Sequence, residues 1–102
     1  MFETSKTRAP LAVLAIGGDA LIAPGEVVTE RDQARAAARV ARAAVSVVDE
    51  GYGLLLVVGA EPELDRELQR SEEAANHLPP RGVDVCLASA QGATGHRLLL
   101  AL

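Results

Sequence analysis

The sequence predicts an α/β fold, with a mainly parallel sheet between helices in a three-layer α/β/α arrangement. Short continuous apolar runs bounded by proline or glycine are typical of strands buried on both faces of a parallel sheet. Segments with a helical spacing of apolar residues separate these runs. The resulting order of strand, helix, strand, helix, strand and helix predicts right-handed crossovers between parallel strands.

Three apolar runs are predicted as strands. The first, residues 11–16, lies between Pro10 and a pair of glycines. The second, residues 54–58, lies between two single glycines, and the third, residues 83–89, follows a glycine and precedes a glycine-containing stretch. We therefore expect three parallel strands, each followed by a loop that contains glycine.

The segment between the first two predicted strands is typical of a long helix. Thr29 and Asp32 have the spacing of a capping box, and Gly51 is placed just past the helix end. The residues expected to face the sheet are Ala34, Ala37, Ala41, Ala44 and Val48. Another stripe contains Arg31, Arg35, Arg39 and Arg42. A solvated helix face is the ordinary interpretation of such a stripe, and an anion-binding ridge is the alternative.

Two further helices are predicted downstream. One begins at Pro62, a residue suited to the first helical turn, and runs toward Asn76. Its narrow apolar stripe contains Leu64, Leu68 and Ala75. The other begins near Gln91 and runs to the last residue.

Length and composition narrow the class of protein. The 102 residues favour a single domain over residues 1–102. A net charge of −4 and 2% aromatic residues argue against a nucleic-acid surface. No run approaches the ~20 apolar residues of a membrane span and no signal peptide is evident, so we expect a cytoplasmic protein with no membrane partner. The lone Cys86 forms neither a disulfide nor a metal cluster and is expected to be a small buried residue.

The candidate chemistry lies in the loops after the predicted strands, because ligands of parallel α/β sheets bind beyond the carboxyl ends of the strands. The three loops read GGDAL from residue 17, GAEPELD from residue 59 and ASAQGATG from residue 88. Glycines allow backbone N–H groups to approach an anion closely. No Walker lysine motif or spaced GxGxxG is present, so the residues alone leave open whether the loops bind phosphate or only turn the chain.

The same segments resemble a known family. The stretch AVLAIGGDAL resembles the opening of carbamate kinases, of the amino acid kinase family, in which the first strand runs into a GGNAL turn. The likeness continues through the long helix, through VGAEPELD in place of the family's HGNGPQVG, and through VDVCLASAQGATGHRLLLAL, which is similar to DVCGAESQGMIGYMLQQAL. The resemblance implies a partial amino acid kinase fold. It also implies a cytoplasmic homodimer that transfers a phosphoryl group between ATP and carbamate, with Mg²⁺, in arginine breakdown.

The resemblance further implies a substrate and phosphate site in all three loops. Its residues are Gly17, Gly18, Asp19, Gly59, Ala60, Glu61, Gln91 and Gly92. The catalytic residues stay unknown, because the family's nucleotide site and catalytic lysines lie in the part that would follow residue 102. Lys6, the only lysine of this chain, precedes the first predicted strand.

Three carboxylates separate this chain from the family pattern. Asp19 stands where the family has asparagine, and Glu61 and Asp65 stand where it has glycine. Phosphoryl transfer depends on positive charge around the moving group, which a carboxylate opposes unless Mg²⁺ lies between them. Two interpretations therefore remain, Mg²⁺ ligation by one or more of these acids or loss of function, and the sequence assigns no metal site.

Two functional hypotheses follow. The first is a carbamate kinase-like phosphotransferase, incomplete or inactive as an isolated chain, whose small-molecule substrate is carbamate or carbamoyl phosphate and whose missing half comes from a complementing chain. The alternative is a non-catalytic remnant that acts in protein–protein association. Four terminal leucines cannot all point into one small core, so we expect a homodimer, a larger assembly or poor solubility.

Overall fold

The computed structural model describes residues 9–22 and 28–102, which form two strands and three α-helices. In chain order they are β1 (Leu11–Ile16), α1 (Glu30–Asp49), β2 (Gly53–Val58), α2 (Glu61–Glu73) and α3 (Val83–Ala101). A short 3-10 helix, Gly18–Ala20, follows β1. The α/β class, the first two strands and the long first helix are confirmed.

The strands β1 and β2 are parallel and paired along their full length. Leu11 lies opposite Gly53, and Ile16 lies opposite Val58. Because the two strands end in register, the loops that follow them leave the sheet side by side.

Helix α1 begins and ends at the predicted residues. The Thr29 N–H donates to Asp32 Oδ2 and the Asp32 N–H donates to Thr29 Oγ1, each at 3.1 Å, which completes the capping box. After the last helical turn, Gly51 has a φ of 99°, a left-handed conformation that glycine adopts without strain.

The buried face of α1 differs in part from the predicted stripe. Ala37, Ala41 and Ala44 are buried as predicted. Ala34 is exposed and Val48 is 48% exposed, so neither belongs to the buried face. The face turned inward contains Gln33 and the alanines at 36, 37, 41 and 44.

The third predicted strand is wrong, and so is the predicted start of the last helix. Residues 83–89 form the first turns of α3, so Gln91 lies in the middle of a helix that begins after its N-cap Gly82. A short apolar run does not by itself distinguish a strand from a buried helix segment. The helical period was nevertheless present in the residues that α3 buries, Cys86, Ala90, Thr94 and Leu98.

Helix α2 begins one residue before the predicted start and ends at Glu73, three residues short of the predicted Asn76. Pro62 occupies its first turn, as expected. Boundary differences of this size are ordinary for helix ends.

The core lies on one face of the sheet. Its buried members are Ile16, Leu21, Ile22, Ala36, Ala37 and Leu98, and Leu14, Leu56 and Val58 pack against them. The opposite face, which we call the open sheet face, contains Leu11, Val13, Leu55 and Val57, whose side chains are 65%, 62%, 49% and 51% exposed.

The last turns of α3 are apolar on more than one side. Leu98 is buried, whereas Leu99 and Leu100 are 73% and 74% exposed. None of the helices in the described residues is long and apolar enough to cross a bilayer.

Candidate functional site

The loops that follow β1 and β2 meet through their backbones. A Cβ on Gly18 would lie 2.8 Å from the Gly59 carbonyl oxygen, and one on Gly59 would lie 3.2 Å from the Gly18 nitrogen. The Gly59 N–H donates to the Ile16 carbonyl at 2.8 Å and fixes the second loop to the end of β1. We call residues 17–19 and 59–61 the loop pair. Their close contact requires glycine at position 18 and leaves little space for a side chain at position 59.

Burial after the first loop fixes its position. The Ala20 N–H donates to the Gly17 carbonyl at 3.0 Å, and the Leu21 N–H donates to the Gly18 carbonyl at 3.1 Å. Leu21 and Ile22, which follow at once, are 6% and 4% exposed and belong to the core. This short helical turn anchors the loop while Asp19 stays exposed to solvent.

The second loop leads into the N-terminus of α2. Ala60 is the N-cap, is buried, and offers no side-chain cap to the helix. Within the described residues, the backbone N–H groups of Gly18 and Ala60 donate no hydrogen bond. Free amides at a helix N-terminus attract anions, so the backbone of the loop pair is suited to a small anion.

The side chains of the loop pair have the opposite electrostatic effect. Asp19, Glu61 and Asp65 are exposed, and none forms a salt bridge to another described residue. Negative charge in the first turn of α2 offsets the attraction that the helix N-terminus has for an anion. The backbone amides therefore favour the binding of an anion at this site, and the carboxylates oppose it.

The described residues do not fit Mg²⁺ or ATP by themselves. They contain no group of three His, Cys, Asp or Glu side chains arranged to hold a metal ion. A triphosphate needs cationic partners, whereas the charged side chains of the loop pair are acidic. The only lysine, Lys6, lies outside the described residues.

The third predicted loop does not join this site as a strand-end loop. Gln91 and Gly92 are exposed residues in the middle of α3. A Cβ on Gly92 would have no neighbour within 4 Å, so no backbone approaches it as Gly59 approaches Gly18. The structure therefore brings the first two predicted loops together and places the third set of residues on a helix.

Sequence reasoning missed a group of charged side chains beside the second loop. The Glu63 carboxylate, 3% exposed, lies among the guanidinium groups of Arg66, Arg70 and Arg97 at 3.9, 3.5 and 3.7 Å. Arg97 also donates two hydrogen bonds to Glu30, of 3.1 and 2.8 Å. These five residues, which we call the Arg–Glu cluster, connect the start of α1 with α2 and α3.

The cluster stabilises ionised groups and orients α2. The hydrogen bond from Arg97 lowers the pKa of Glu30, and the same bond raises the pKa of Arg97. Arg66 in turn donates to the Val28 carbonyl at 3.2 Å. Because the second loop leads directly into α2, these contacts also fix the position of that loop.

Part of the cluster had a signal in the sequence. Glu63 and Arg66 are three residues apart, a spacing that brings side chains together on a helix. The contact between Glu30 and Arg97 spans 67 residues and has no local signal.

The fold of the described residues is that of part of a carbamate kinase. Carbamate kinase from Giardia lamblia bound to citric acid superposes with a TM-score of 0.86 at 24% identity, over 93% of this chain and 30% of that chain. Another Giardia carbamate kinase structure superposes with a TM-score of 0.84 at 25% identity, over 91% of this chain and 32% of that chain. The predicted partial amino acid kinase fold is thereby confirmed.

A curated relative extends the likeness to sequence. The carbamate kinase-like protein YahI of Escherichia coli K12 is 31% identical over 94 residues, which are 90% of this chain and 30% of YahI. No family model matches the chain. The resemblance to carbamate kinases inferred from the sequence is thus confirmed, and the chain spans about a third of the length of the relatives that it matches.

Proposed function

We propose that this chain supplies the acceptor side of a carbamate kinase-like phosphotransferase, which moves a phosphoryl group between ATP and carbamate. The observation that carries the proposal is the contact between Gly18 and Gly59, which joins two strand-end loops into one site. The resemblance maps these loops to the phosphoryl-transfer site of carbamate kinases. A second support is that a Giardia carbamate kinase of the same fold was solved bound to AMP-PNP, an ATP analogue.

In this proposal the backbone binds the substrate and the acids restrain it. The N–H groups of Gly18 and Ala60 donate to an oxygen of carbamate or carbamoyl phosphate, since neither is used within the described residues. Asp19 and Glu61 weaken that binding by repulsion. Nucleotide binding and the cationic groups that stabilise the moving phosphoryl group come from polypeptide outside the described residues, with Mg²⁺ as the resemblance implies.

The resemblance supports the remaining details of the proposal. A cytoplasmic location, a role in arginine breakdown and a homodimer follow from likeness to carbamate kinases. The exposed Leu99 and Leu100 add apolar surface that association would bury.

A binding experiment on the isolated chain tests the site. Carbamoyl phosphate is titrated into ¹⁵N-labelled protein, and we expect weak binding whose largest amide shifts lie at Gly18 and Ala60. The double variant Asp19→Asn with Glu61→Gln removes two negative charges at the site and is expected to bind about tenfold more tightly.

A matched control separates local charge from net charge. Asp49→Asn with Glu50→Gln removes the same charge at the exposed end of α1, beside the amino end of β2. This control is expected to bind like the parent chain. Equal gains in both double variants, or shifts confined to residues outside the loop pair, would contradict the proposed site.

The isolated chain is expected to make no ATP from carbamoyl phosphate and ADP. The reason is that the described residues do not fit a nucleotide. A coupled assay for ATP measures this against a blank without protein. Turnover above the blank that survives a second purification would show that the chain already holds a complete catalytic site.

A further inference from the structure

From the Arg–Glu cluster we infer that Arg97 is a positioning residue for the loop pair. It holds the Glu63 carboxylate away from the backbone N–H of Ala60, so that this N–H stays free for the substrate anion. The inference rests on the proposed function and deepens it, because it names the side chain that keeps an internal competitor away from the anion.

The starts of α1 and α2 differ in how their carboxylates are used. In α1 the third helical residue, Asp32, accepts a hydrogen bond of 3.1 Å from the backbone N–H of the N-cap Thr29. Glu63 has the same position in α2, three residues after the N-cap Ala60. A glutamate at this position is the usual partner of the N-cap N–H. Within the described residues, however, neither the Ala60 N–H nor Glu63 Oε2 has a hydrogen-bond partner.

The backbone at Ala60 shows that this arrangement and a capped one exclude each other. The N-cap Thr29 has a φ of −80° and a ψ of 166°, the extended conformation of a capping box. Ala60 has a φ of −131° and a ψ of 19°. A bond from the Ala60 N–H to Glu63 therefore requires a rotation about ψ of Ala60, which changes how the second loop meets α2. These are two alternative states of the second loop, and the observed one leaves the N–H available.

Three guanidinium groups favour the observed state, and Arg97 has a special place among them. It lies 3.7 Å from Glu63 Oε2, in surroundings where little water screens the attraction, since the glutamate side chain is 3% exposed. Arg66 and Arg70 belong to α2, as Glu63 does, whereas Arg97 belongs to α3. Two hydrogen bonds to Glu30 also hold the Arg97 guanidinium in place. Arg97 therefore ties the carboxylate to the rest of the fold.

The two states of the second loop are close in free energy. The hydrogen bonds of Arg66, Arg70 and Arg97 go to acceptors other than Glu63, which they attract by charge alone. A buried acceptor without a hydrogen bond costs free energy, and capping of the Ala60 N–H would supply that bond to Glu63. Loss of one guanidinium should therefore shift the equilibrium toward the capped state.

The test observes the backbone amide of Ala60 by NMR in ¹⁵N-labelled protein without ligand. In Arg97→Leu the Glu63 carboxylate accepts from this amide in a larger share of the molecules. We therefore expect the amide proton signal to move downfield and its exchange with solvent to slow about fivefold. Carbamoyl phosphate should bind more weakly by about the same factor, because the anion has to displace the carboxylate.

A second substitution removes the competitor. Arg97→Leu with Glu63→Met replaces the buried ion pair by apolar side chains, a change that folded proteins tolerate. Methionine offers the Ala60 N–H no carboxylate, so we expect this double variant to have the Ala60 amide and the carbamoyl phosphate affinity of the parent. Restored affinity separates competition by Glu63 from a general loosening of the loop.

Two further variants complete the comparison. Arg39→Leu removes the same charge from the exposed face of α1 and should leave both measurements unchanged. Arg70→Leu removes the contact of 3.5 Å to Glu63 Oε1 from a side chain that is 54% exposed. It should move the Ala60 amide in the same direction as Arg97→Leu, by less, and it serves as the test if Arg97→Leu does not fold.

Four outcomes would overturn the inference. They are an Ala60 amide that neither Arg97→Leu nor Arg70→Leu moves, a change that persists in the double variant, an equal change in Arg39→Leu, and a moved amide with unchanged carbamoyl phosphate affinity. Absence of carbamoyl phosphate binding by the parent chain would count against the proposed function, and the amide, which is measured without ligand, would still decide whether Arg97 positions Glu63.

Discussion

Two glycines of the loop pair, Gly18 and Gly59, and the two glycines of helix α3 have opposite surroundings. Around Gly18 the backbone of the second loop leaves no space for a Cβ, since the Gly59 carbonyl oxygen would lie 2.8 Å away. Around Gly92 and Gly95 a Cβ would have no neighbour within 4 Å. A glycine therefore indicates a functional loop here only where a second backbone contacts it, and the sequence of one loop does not show that contact.

The largest effect is expected for Gly18→Ala. The Cβ would meet the Gly59 carbonyl carbon at 3.1 Å and the Pro62 Cδ at 3.0 Å, in addition to the carbonyl oxygen. Because two of these atoms are backbone, the loops must separate, at a cost of about 2–3 kcal/mol in the free energy of unfolding. Urea unfolding followed by circular dichroism measures the change.

The same variant also tests the site. Separation of the two loops should weaken carbamoyl phosphate binding by more than the loss of stability explains, when binding is measured where the variant is still fully folded. Unchanged stability and binding in Gly18→Ala would mean that the two loops can move apart to accommodate the Cβ at no cost. The difference in surroundings between Gly18 and the glycines of α3 would then have no effect on the free energy of unfolding.

A smaller loss is expected for Arg97→Leu. Arg97 is the residue of α3 that contacts both Glu30 and the buried Glu63. Its removal leaves Glu63 near Arg66 and Arg70 only, which we expect to cost about 1–2 kcal/mol. Thermal unfolding in low salt measures it, with Arg39→Leu on the exposed face of α1 as the control, where a change within about 0.5 kcal/mol is expected. Equal losses in the two variants would show that the cluster does not hold α3 in place.

Gly92→Ala should stabilise the protein. A glycine inside a helix costs about 0.5–1 kcal/mol relative to alanine, and the new methyl group meets nothing. The expected sign is therefore the reverse of that for Gly18→Ala, although the chemical change is the same. Denaturant unfolding of the two variants side by side measures the difference, and a loss of stability in Gly92→Ala would indicate that this glycine has a contact partner after all.

Local signals explain which elements could be predicted. β1 and α1 were predictable because Pro10, the glycines after Ile16 and the capping residue Thr29 mark their ends. The third strand was not, because residues 83–89 are apolar in a way that suits either a strand or a buried helix. The length of the uninterrupted segment favours a helix over a strand, since no proline lies within the 19 residues of α3.

The candidate site, too, could be predicted from the sequence only in part. The first two loops could be placed together because parallel strands end at the same edge of a sheet. Two grounds predict a loop at Gln91 and Gly92, the strand predicted before them and the resemblance to the family's third loop, and the structure has a helix there instead. The Arg–Glu cluster depends on the pairing of Glu30 with Arg97, which follows from how the helices pack and not from either local sequence.

The smallest expected effect is on the pH dependence of the start of α1, which contains the capping box and the Glu30 carboxylate of the Arg–Glu cluster. The Thr29 backbone N–H holds the pKa of Asp32 below its ordinary value of 3.8, and Arg97 holds the pKa of Glu30 below 4.5. The folded protein thus takes up these protons less readily than the unfolded chain, so both groups stabilise the fold above their ordinary pKa values. That contribution is lost as the pH falls below those values and through the lowered pKa of each group.

We therefore expect Asp32→Ala to be less stable than the parent near pH 6 and to approach it near pH 3, by thermal unfolding at several pH values. Asp49→Ala, at the other end of α1, is the control and should not show this convergence. A stability difference for Asp32→Ala that stays constant across this range would mean that the capping box acts through its shape and not through the charge of Asp32.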